Sequence, residues 1–589
     1  MIKILNKINE PNDLKSLSIE ELKTLASEIR EILLKKLSIH GGHFGPNFGT
    51  VEAIIALHYV FNSPIDKIVF DVSHQSYTHK ILTGRKDAFI YEDKYDDVTG
   101  YTDPSESIHD FFKIGHTSTS ISLASGLAIS RDLKNESYNV IAFIGDGSLS
   151  GGEALEGLDF VGEQKSNFII VVNDNDMSIV ENHGGLYKNL KVLRETNGQS
   201  ECNLFKAMGL DYIYVDDGND IDKLITAFNS VKDIDHPIVV HINTEKGKGY
   251  KIAEENKENW HYTMPFDIET GKLKIKFGKD YADLTGEFLL QKMKMDKDVA
   301  VIVAGVPTCI GFTKERREKA LNQFFDVGIA EETGVAIASG IASLGGKPVF
   351  ATHSSFIQRT FDQLSQDLCI NNNPATILVS TASIYGMNDI THLGFYDIPL
   401  ISNIPNMVYL APTSKDEYFA MLNYSIEQNN HPIAIRIPCN GIIEDKRQVD
   451  TDYSNLNKYK IEKNGEEIAI IALGDFYQLG ENLHKEILAK LNIESTLINP
   501  RYITGLDNIL LDDLMKNHYL VITLEDGILS GGFGEKIARY YGDTKMLVKN
   551  YGIKKSFYDR YSVEKLLKEN RLTVEQIIED IEVLLKKWL

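Results

Sequence analysis

The chain has 589 residues, 43% of them apolar and 25% charged, with a formal net charge of −22. Those figures describe an ordinary globular protein of about three to four domains and exclude disordered, collagen-like and coiled-coil chains. The negative surface argues against nucleic-acid and membrane partners, because anionic phosphate repels it, but leaves room for a local basic pocket around a phosphorylated ligand. Cys202, Cys309, Cys369 and Cys439 are widely spaced and form no C-x-x-C, which points away from a disulfide framework or a zinc site and towards a reducing cytoplasm. No apolar run reaches membrane-spanning length. The start, MIKILNKINEPNDL, turns polar too soon for a signal peptide.

In chain order, a first helix is predicted behind Ser18. Ser18 and Glu21 form a capping box ahead of Leu22, Leu25, Ile29 and Leu33, and Leu17 and Leu22 can staple the entry. Short apolar runs then alternate with amphipathic stretches. VIAFI (140–144), NFIIVV (167–172) and PIVVHI (237–242) read as buried parallel strands, with helical segments such as GGEALEGLDF between them. This alternation predicts open, doubly wound α/β sheets. The pattern restarts at VAVIVAG (299–305) and at IAIIALG (468–474), each behind a charged stretch. Domains are therefore expected over 1–275, 276–455 and 456–589. The polar segment 182–202 reads as a surface loop. Gly531–Gly534 reads as a strand-to-helix turn and not a nucleotide loop, because no G-K-S/T follows. The closing TVEQIIEDIEVLLKKWL reads as an amphipathic helix packed on its own domain.

The first chemical signal is IGDGSLSGGEALEG. A strand ends at Ile144, and Gly145-Asp146-Gly147 turns the chain towards a helix, whose N-terminus favours anions. The next strand ends in Asn173-Asp174-Asn175-Asp176-Met177, one βαβ crossover later. Ligands of open α/β sheets bind outside the carboxyl ends of the strands. Asp146 and Asn175 would there offer a carboxylate and an amide oxygen to one point, the hard donors that Mg²⁺ takes alongside water and phosphate. Each turn alone is common loop chemistry. Together, each behind a strand, they point to a metal–diphosphate site.

The G-D-G…N pair, with DVSHQSYTHKILTGR, GGHFGPNFGTVEA, GHTSTSIS, NDNDMSI, EKGKGY and FDVGIAEETGVAIASG, resembles the 1-deoxy-D-xylulose-5-phosphate synthase family, a branch of the transketolase-like enzymes. The resemblance runs from about residue 15 to the C-terminus. It implies two thiamine-diphosphate-binding domains followed by a transketolase C-terminal-like domain, a homodimer, and thiamine diphosphate with Mg²⁺ as cofactors. The implied metal ligands are Asp146, Asn175 and the main-chain carbonyl of Met177. The implied cofactor residues are His74, Gly115, His116, Thr117, Ser118, Asp146, Gly147, Ser148, Asn175, Glu331 and Phe356. Lys246 or Lys248 of EKGKGY is implied at the diphosphate, with Lys248 assigned.

Glu331 matches the acid that activates the aminopyrimidine, and Phe356 matches the aromatic that stacks on it. His43, His74, His261 and His392 match active-site histidines, the natural proton carriers near neutral pH. A lone histidine is more often structural. The implied reaction is a two-carbon transfer from a 2-oxo acid donor, pyruvate, to an aldehyde or sugar-phosphate acceptor, glyceraldehyde 3-phosphate.

The acceptor half departs from the family pattern. Thr381 stands where the family has an arginine in D-R-A-G, and Cys439 where it has the second arginine of R-Y-P-R-G. Asn388 replaces an aspartate and His353 a tyrosine. Guanidinium grips phosphate bidentately, so the altered half leaves two alternatives open. One is a transketolase-like transferase with another acceptor, and the other a catalytically degenerate cofactor-binding scaffold. Arg359, Arg436 or a lysine is the expected replacement grip if phosphate is bound.

Overall fold

The structure is a computed structural model that describes residues 3–275, 278–444 and 447–588. Residues 276 and 277, where the first expected domain boundary falls, lie outside the described residues, as does Leu589 at the end of the expected last helix. The chain forms two compact units, Met1–Gly278 with Gly328–Ala330, and Lys279–Val327 with Glu331–Leu589.

The first unit is built on a five-stranded parallel sheet. Its strand order is Lys67–Phe70, Val140–Gly145, Phe168–Asp174, Pro237–Asn243 and Asp211–Val215. The three runs read as strands from their β-branched content are strands here. Every residue of Phe168–Asp174 is buried. Each fully buried Val, Ile or Phe contributes about 1.5–3 kcal/mol, which fixes the strand at the middle of the sheet. The register pairs Gly145 with Asn173, so the chain leaves two neighbouring strands side by side, at Asp146 and at Asn175. The first helix is Ile19–His40, and its capping box closes as expected. The Glu21 N–H donates to Ser18 Oγ at 3.3 Å, and the Ser18 N–H to Glu21 Oε2 at 3.0 Å.

The second unit holds two sheets. One is six-stranded and parallel, in the order Val408–Leu410, Ile433–Arg436, Thr376–Ser380, Lys347–His353, Val299–Val303 and Phe324–Asp326. The other runs Lys460–Lys463, Thr496–Asn499, Glu467–Ala472, His518–Ile528 and Leu547–Ile553, with only the first pair antiparallel. These three large sheets are thus open α/β sheets flanked by helices, and a two-stranded antiparallel pair, Gly42–His43 with Tyr262–Thr263, lies in the first unit. The last helix, Val574–Trp588, buries Ile577, Ile578 and Ile581 in the core of the third sheet, so its apolar stripe packs on its own neighbours.

One element differs from the sequence reading, and a second matches it with an added detail. Residues 182–202 are not a plain loop, because Gly185–Glu195 is a helix that buries Tyr187, Leu190 and Leu193. Gly184, at φ +127°, lets the chain enter it. The Gly531–Gly534 turn does lead from strand to helix, into Phe533–Tyr540, but its anion-binding position is filled from within. Both oxygens of the buried Glu525 accept backbone N–H groups, from Phe533 at 2.7 Å and Gly534 at 2.8 Å.

Candidate active site

In the first unit, Asp146 begins the turn after Val140–Gly145, and its own N–H donates to the Asn173 carbonyl at 3.0 Å. The turn is tight: a Cβ on Gly147 would stand 2.6 Å from the Ser178 Cβ, so only glycine fits. Asp146 Oδ2 accepts the Met177 N–H at 3.1 Å and the Asn182 side-chain amide at 2.9 Å. Burial, then the neighbouring Asp174, push the Asp146 carboxyl well above its ordinary range. Asp174 goes the other way. Burial opposes its charge, but bonds from His241 at 2.9 Å and Arg194 at 2.6 and 2.7 Å prevail and hold it below the usual value. The oxygens Asn175 Oδ1 and Asn182 Oδ1 are buried with no hydrogen-bond partner among the described residues. A buried carboxylate, offset by the charge of Lys246, beside amide oxygens with no hydrogen-bond partner among the described residues fits a hydrated magnesium diphosphate.

The segment expected beside the diphosphate is anchored to this turn. Ser118 Oγ donates to the Ser148 carbonyl at 2.8 Å, and Ser118 takes φ +74°. Asp71 holds that conformation by accepting the N–H groups of Ser118 and Ser120, both at 2.9 Å. Sequence reasoning gave Asp71 no role, although its motif was visible. Gly115 is buried, and His116 and Thr117 are half-buried beside it.

Three of the expected histidines come together. The rings of His43 and His74 lie 5.0 Å apart, those of His74 and His261 5.3 Å, and those of His43 and His261 5.8 Å. Lys246 Nζ stands 3.1 Å from His261 Nδ1 and also donates to the Ser178 carbonyl. Burial, then Lys246, lower His43 to about 4, and the same two causes take His261 well below its ordinary value. Burial brings Lys246 down to about 7, with Asp146 opposing. His43 and His261 are therefore held neutral near pH 7. Lys248 is a correction: it is exposed, and the buried lysine of EKGKGY is Lys246.

In the second unit, Glu331 opens the helix Glu331–Ser343 and is buried. Its Oε2 has no hydrogen-bond partner among the described residues, and the Arg359 guanidinium stands 4.0 Å away. Burial pushes its carboxyl up to about 7, against the pull of Arg359. Phe356, expected to stack on the pyrimidine, has its ring 5.3 Å from His353 and 5.6 Å from His392. His353 Nδ1 lies 2.9 Å from Ser380 Oγ and 3.1 Å from Thr381 Oγ1, and burial lowers it to about 4. Arg436 is not a spare cation. It is buried and bonded to Asp397 at 2.8 Å and to Asp526. The Cys439 N–H donates to Asp475 Oδ2 at 3.0 Å, and burial, then Asp526, raise Asp475 to about 7. No sequence signal marked Asp475.

Among the described residues, no group of three or more His, Cys, Asp or Glu side chains is arranged to hold a metal ion by itself. The donor set is instead the sparse oxygen type that magnesium completes with water and phosphate.

Comparison with known proteins agrees with this chemistry. The 1-deoxy-D-xylulose-5-phosphate synthase family model matches residues 5–203 and 196–244, the transketolase pyrimidine-binding domain residues 278–440, and the transketolase C-terminal domain residues 457–577. The 1-deoxy-D-xylulose-5-phosphate synthase of Clostridium acetobutylicum is 37% identical over 619 residues, 99% of each chain. That of Clostridium beijerinckii is 38% identical over 616 residues, 98% of each chain. Among solved structures, transketolase from Campylobacter jejuni superposes with a TM-score of 0.44 at 16% identity, over 96% of this chain and 100% of that one. Fold and site define a transketolase-type enzyme that depends on thiamine diphosphate and a divalent metal. Within that class, the chain belongs to the 1-deoxy-D-xylulose-5-phosphate synthase family.

Proposed function

We propose that the chain condenses pyruvate with glyceraldehyde 3-phosphate, giving 1-deoxy-D-xylulose 5-phosphate and CO₂. The C1–C2 bond of pyruvate breaks with loss of CO₂, its C2 joins the aldehyde carbon of the acceptor, and the aldehyde oxygen takes a proton. Thiamine diphosphate, when bound, supplies the electron sink for both steps. Asp146, Asn175 and the Met177 carbonyl would hold its magnesium, and Lys246 would offset the diphosphate charge. Glu331 keeps a proton at its carboxyl for the pyrimidine ring nitrogen. His43, His74, His261 and His392 bind the donor and move the acceptor's proton.

The observation that carries this reading is Glu331, a buried acid with an oxygen that has no hydrogen-bond partner among the described residues and an affinity for protons matched to neutral pH. Glu331→Ala should abolish turnover while leaving most of the affinity for thiamine diphosphate, and unchanged turnover would refute the assignment. Mass spectrometry of products from pyruvate and glyceraldehyde 3-phosphate tests the reaction itself. Absence of decarboxylation with any 2-oxo acid, despite tight cofactor binding, would leave only a scaffold.

A second reading, the same chemistry with an aldehyde lacking phosphate, is favoured by one observation. Around Thr381 and Cys439, Arg436 is committed to two carboxylates and Asp475 adds a further acid. Losing a charged contact costs a few kcal/mol. An aldehyde panel separates the two readings.

The same proposal covers three domains over 1–275, 276–455 and 456–589, a cytoplasmic location and a homodimer. The three sheets support the domains. All four cysteines are free thiols, as a reducing compartment keeps them. Exposed apolar side chains support the dimer: Ile129, Leu133 and Phe160 in the first unit, and Ile337 and Leu344 along the helix that Glu331 opens.

A further inference from the structure

We infer that Asn182 is a positioning residue for the divalent cation, fixing the Asp146 carboxylate so that one of its oxygens is presented to the metal. The inference rests on Asp146 and Asn175 being the metal's ligands, as read above. Two donors converge on the same oxygen of Asp146: the Met177 N–H at 3.1 Å and the Asn182 amide at 2.9 Å. With both of these donors on Oδ2, the carboxylate is oriented so that its other oxygen is better placed for a cation. Asn182 has an acceptor to offer as well. Its Oδ1, like Asn175 Oδ1, is buried without a hydrogen-bond partner among the described residues. An orphaned buried acceptor costs about 1–3 kcal/mol, and a water in the shell of Mg²⁺, an ion that keeps several waters when bound, relieves it.

The segment that carries Asn182 is pinned at two further points. The Tyr187 hydroxyl donates to the Gly147 carbonyl at 3.1 Å. Arg194, near the end of helix Gly185–Glu195, bonds Asp174 at 2.6 and 2.7 Å and pairs with Asp176 at 2.8 Å. The helix thus straps the strand end that supplies Asn175 to the turn that supplies Asp146, and Asn182 is the point where the strap reaches a ligand. Its side-chain amide acts on the cation through the Asp146 carboxylate it holds. Losing such a partner typically weakens metal binding 10- to 100-fold.

The test uses the full-length protein, thiamine diphosphate and Mn²⁺ as the probe, with free Mn²⁺ read by electron paramagnetic resonance. Asn182→Ala should bind Mn²⁺ roughly 10- to 100-fold more weakly, and Asn182→Leu, similar in volume but apolar, should do the same should the alanine variant fold poorly. Tyr187→Phe, which loosens the strap without touching Asp146, should stay within about threefold of wild type on the same scale. Wild-type Mn²⁺ affinity in both Asn182 variants, or an equal loss in Tyr187→Phe, would overturn the assignment. Asp146→Ala separates this from the underlying reading: if it too retains Mn²⁺, the ligand assignment fails, whereas loss there with none at Asn182 sinks the positioning role alone.

Discussion

Two glycine-rich turns in this chain occupy the same station at the end of a parallel strand and do opposite things. At 145–148 the turn leaves a buried carboxylate beside amide oxygens that have no hydrogen-bond partner among the described residues. At 531–534 the helix-start N–H groups are already taken by Glu525, from the preceding strand. Both turns need glycine for close approach. A Cβ on Gly532 would lie 2.5 Å from Glu525 Oε2, as one on Gly147 would crowd Ser178. What separates a binding turn from a structural one is whether the chain supplies the ligand itself, and the glycines alone do not report that.

The largest test of this contrast is Asp146→Ala, which should remove magnesium-dependent uptake of thiamine diphosphate by more than the roughly 100-fold that an outer-shell loss produces. Calorimetry with and without Mg²⁺ reads it, and Glu525→Ala should leave that uptake within about twofold on the same scale. Retained uptake in Asp146→Ala would erase the distinction between the turns.

Next comes pH. The Glu331 carboxyl is raised in the fold to about 7 from 4.5. The folded chain thus holds a proton that the unfolded chain releases, and the contribution is complete below about pH 4.5 and lost as pH rises through 7, an effect of about 3 kcal/mol. Without cofactor, Glu331→Gln should melt with the wild type at pH 4.5 and above it at pH 8. Parallel melting curves at both values would show that the acid is not desolvated.

A smaller effect is expected at the second turn. Glu525→Ala strands two backbone N–H groups and should cost about 2 kcal/mol, read by thermal melting. Millimolar phosphate should restore part of it by entering the vacated cradle, and no response to phosphate would mean that the cradle collapses. The smallest tests the same logic at a plain helix start, where Ser18→Ala should cost about 1 kcal/mol.

The sheets were legible because their strands are buried on both faces, so runs such as 168–172 carry no polar interruption. Asp146 and Asn175 were legible because their letters follow strands directly. Helix Gly185–Glu195 was hidden. Leu186, Leu190 and Leu193 have helical spacing, but two glycines lead in and charged residues surround them. The role of Arg194 depends on Asp174, and no local pattern announces that pair. Lys246 and Lys248 have the same chemistry two residues apart, and only the fold decides which is buried. Arg436 looked available for phosphate because its partners lie 39 and 90 residues away. Long-range charge pairing is what a linear reading lacks, and at the acceptor side it inverted the meaning of a residue.

The helix that opens on Glu331 exposes apolar side chains along its length, Ile337 at 38% in its middle and Leu344, just past its last turn, at 92%. A rod of this kind transmits tilt from end to end. In the homodimer proposed above, a partner that covers that end would also steady the proton-holding end, and catalytic rate per molecule would then depend on protein concentration. Progressive dilution should dull the enzyme before it unfolds it.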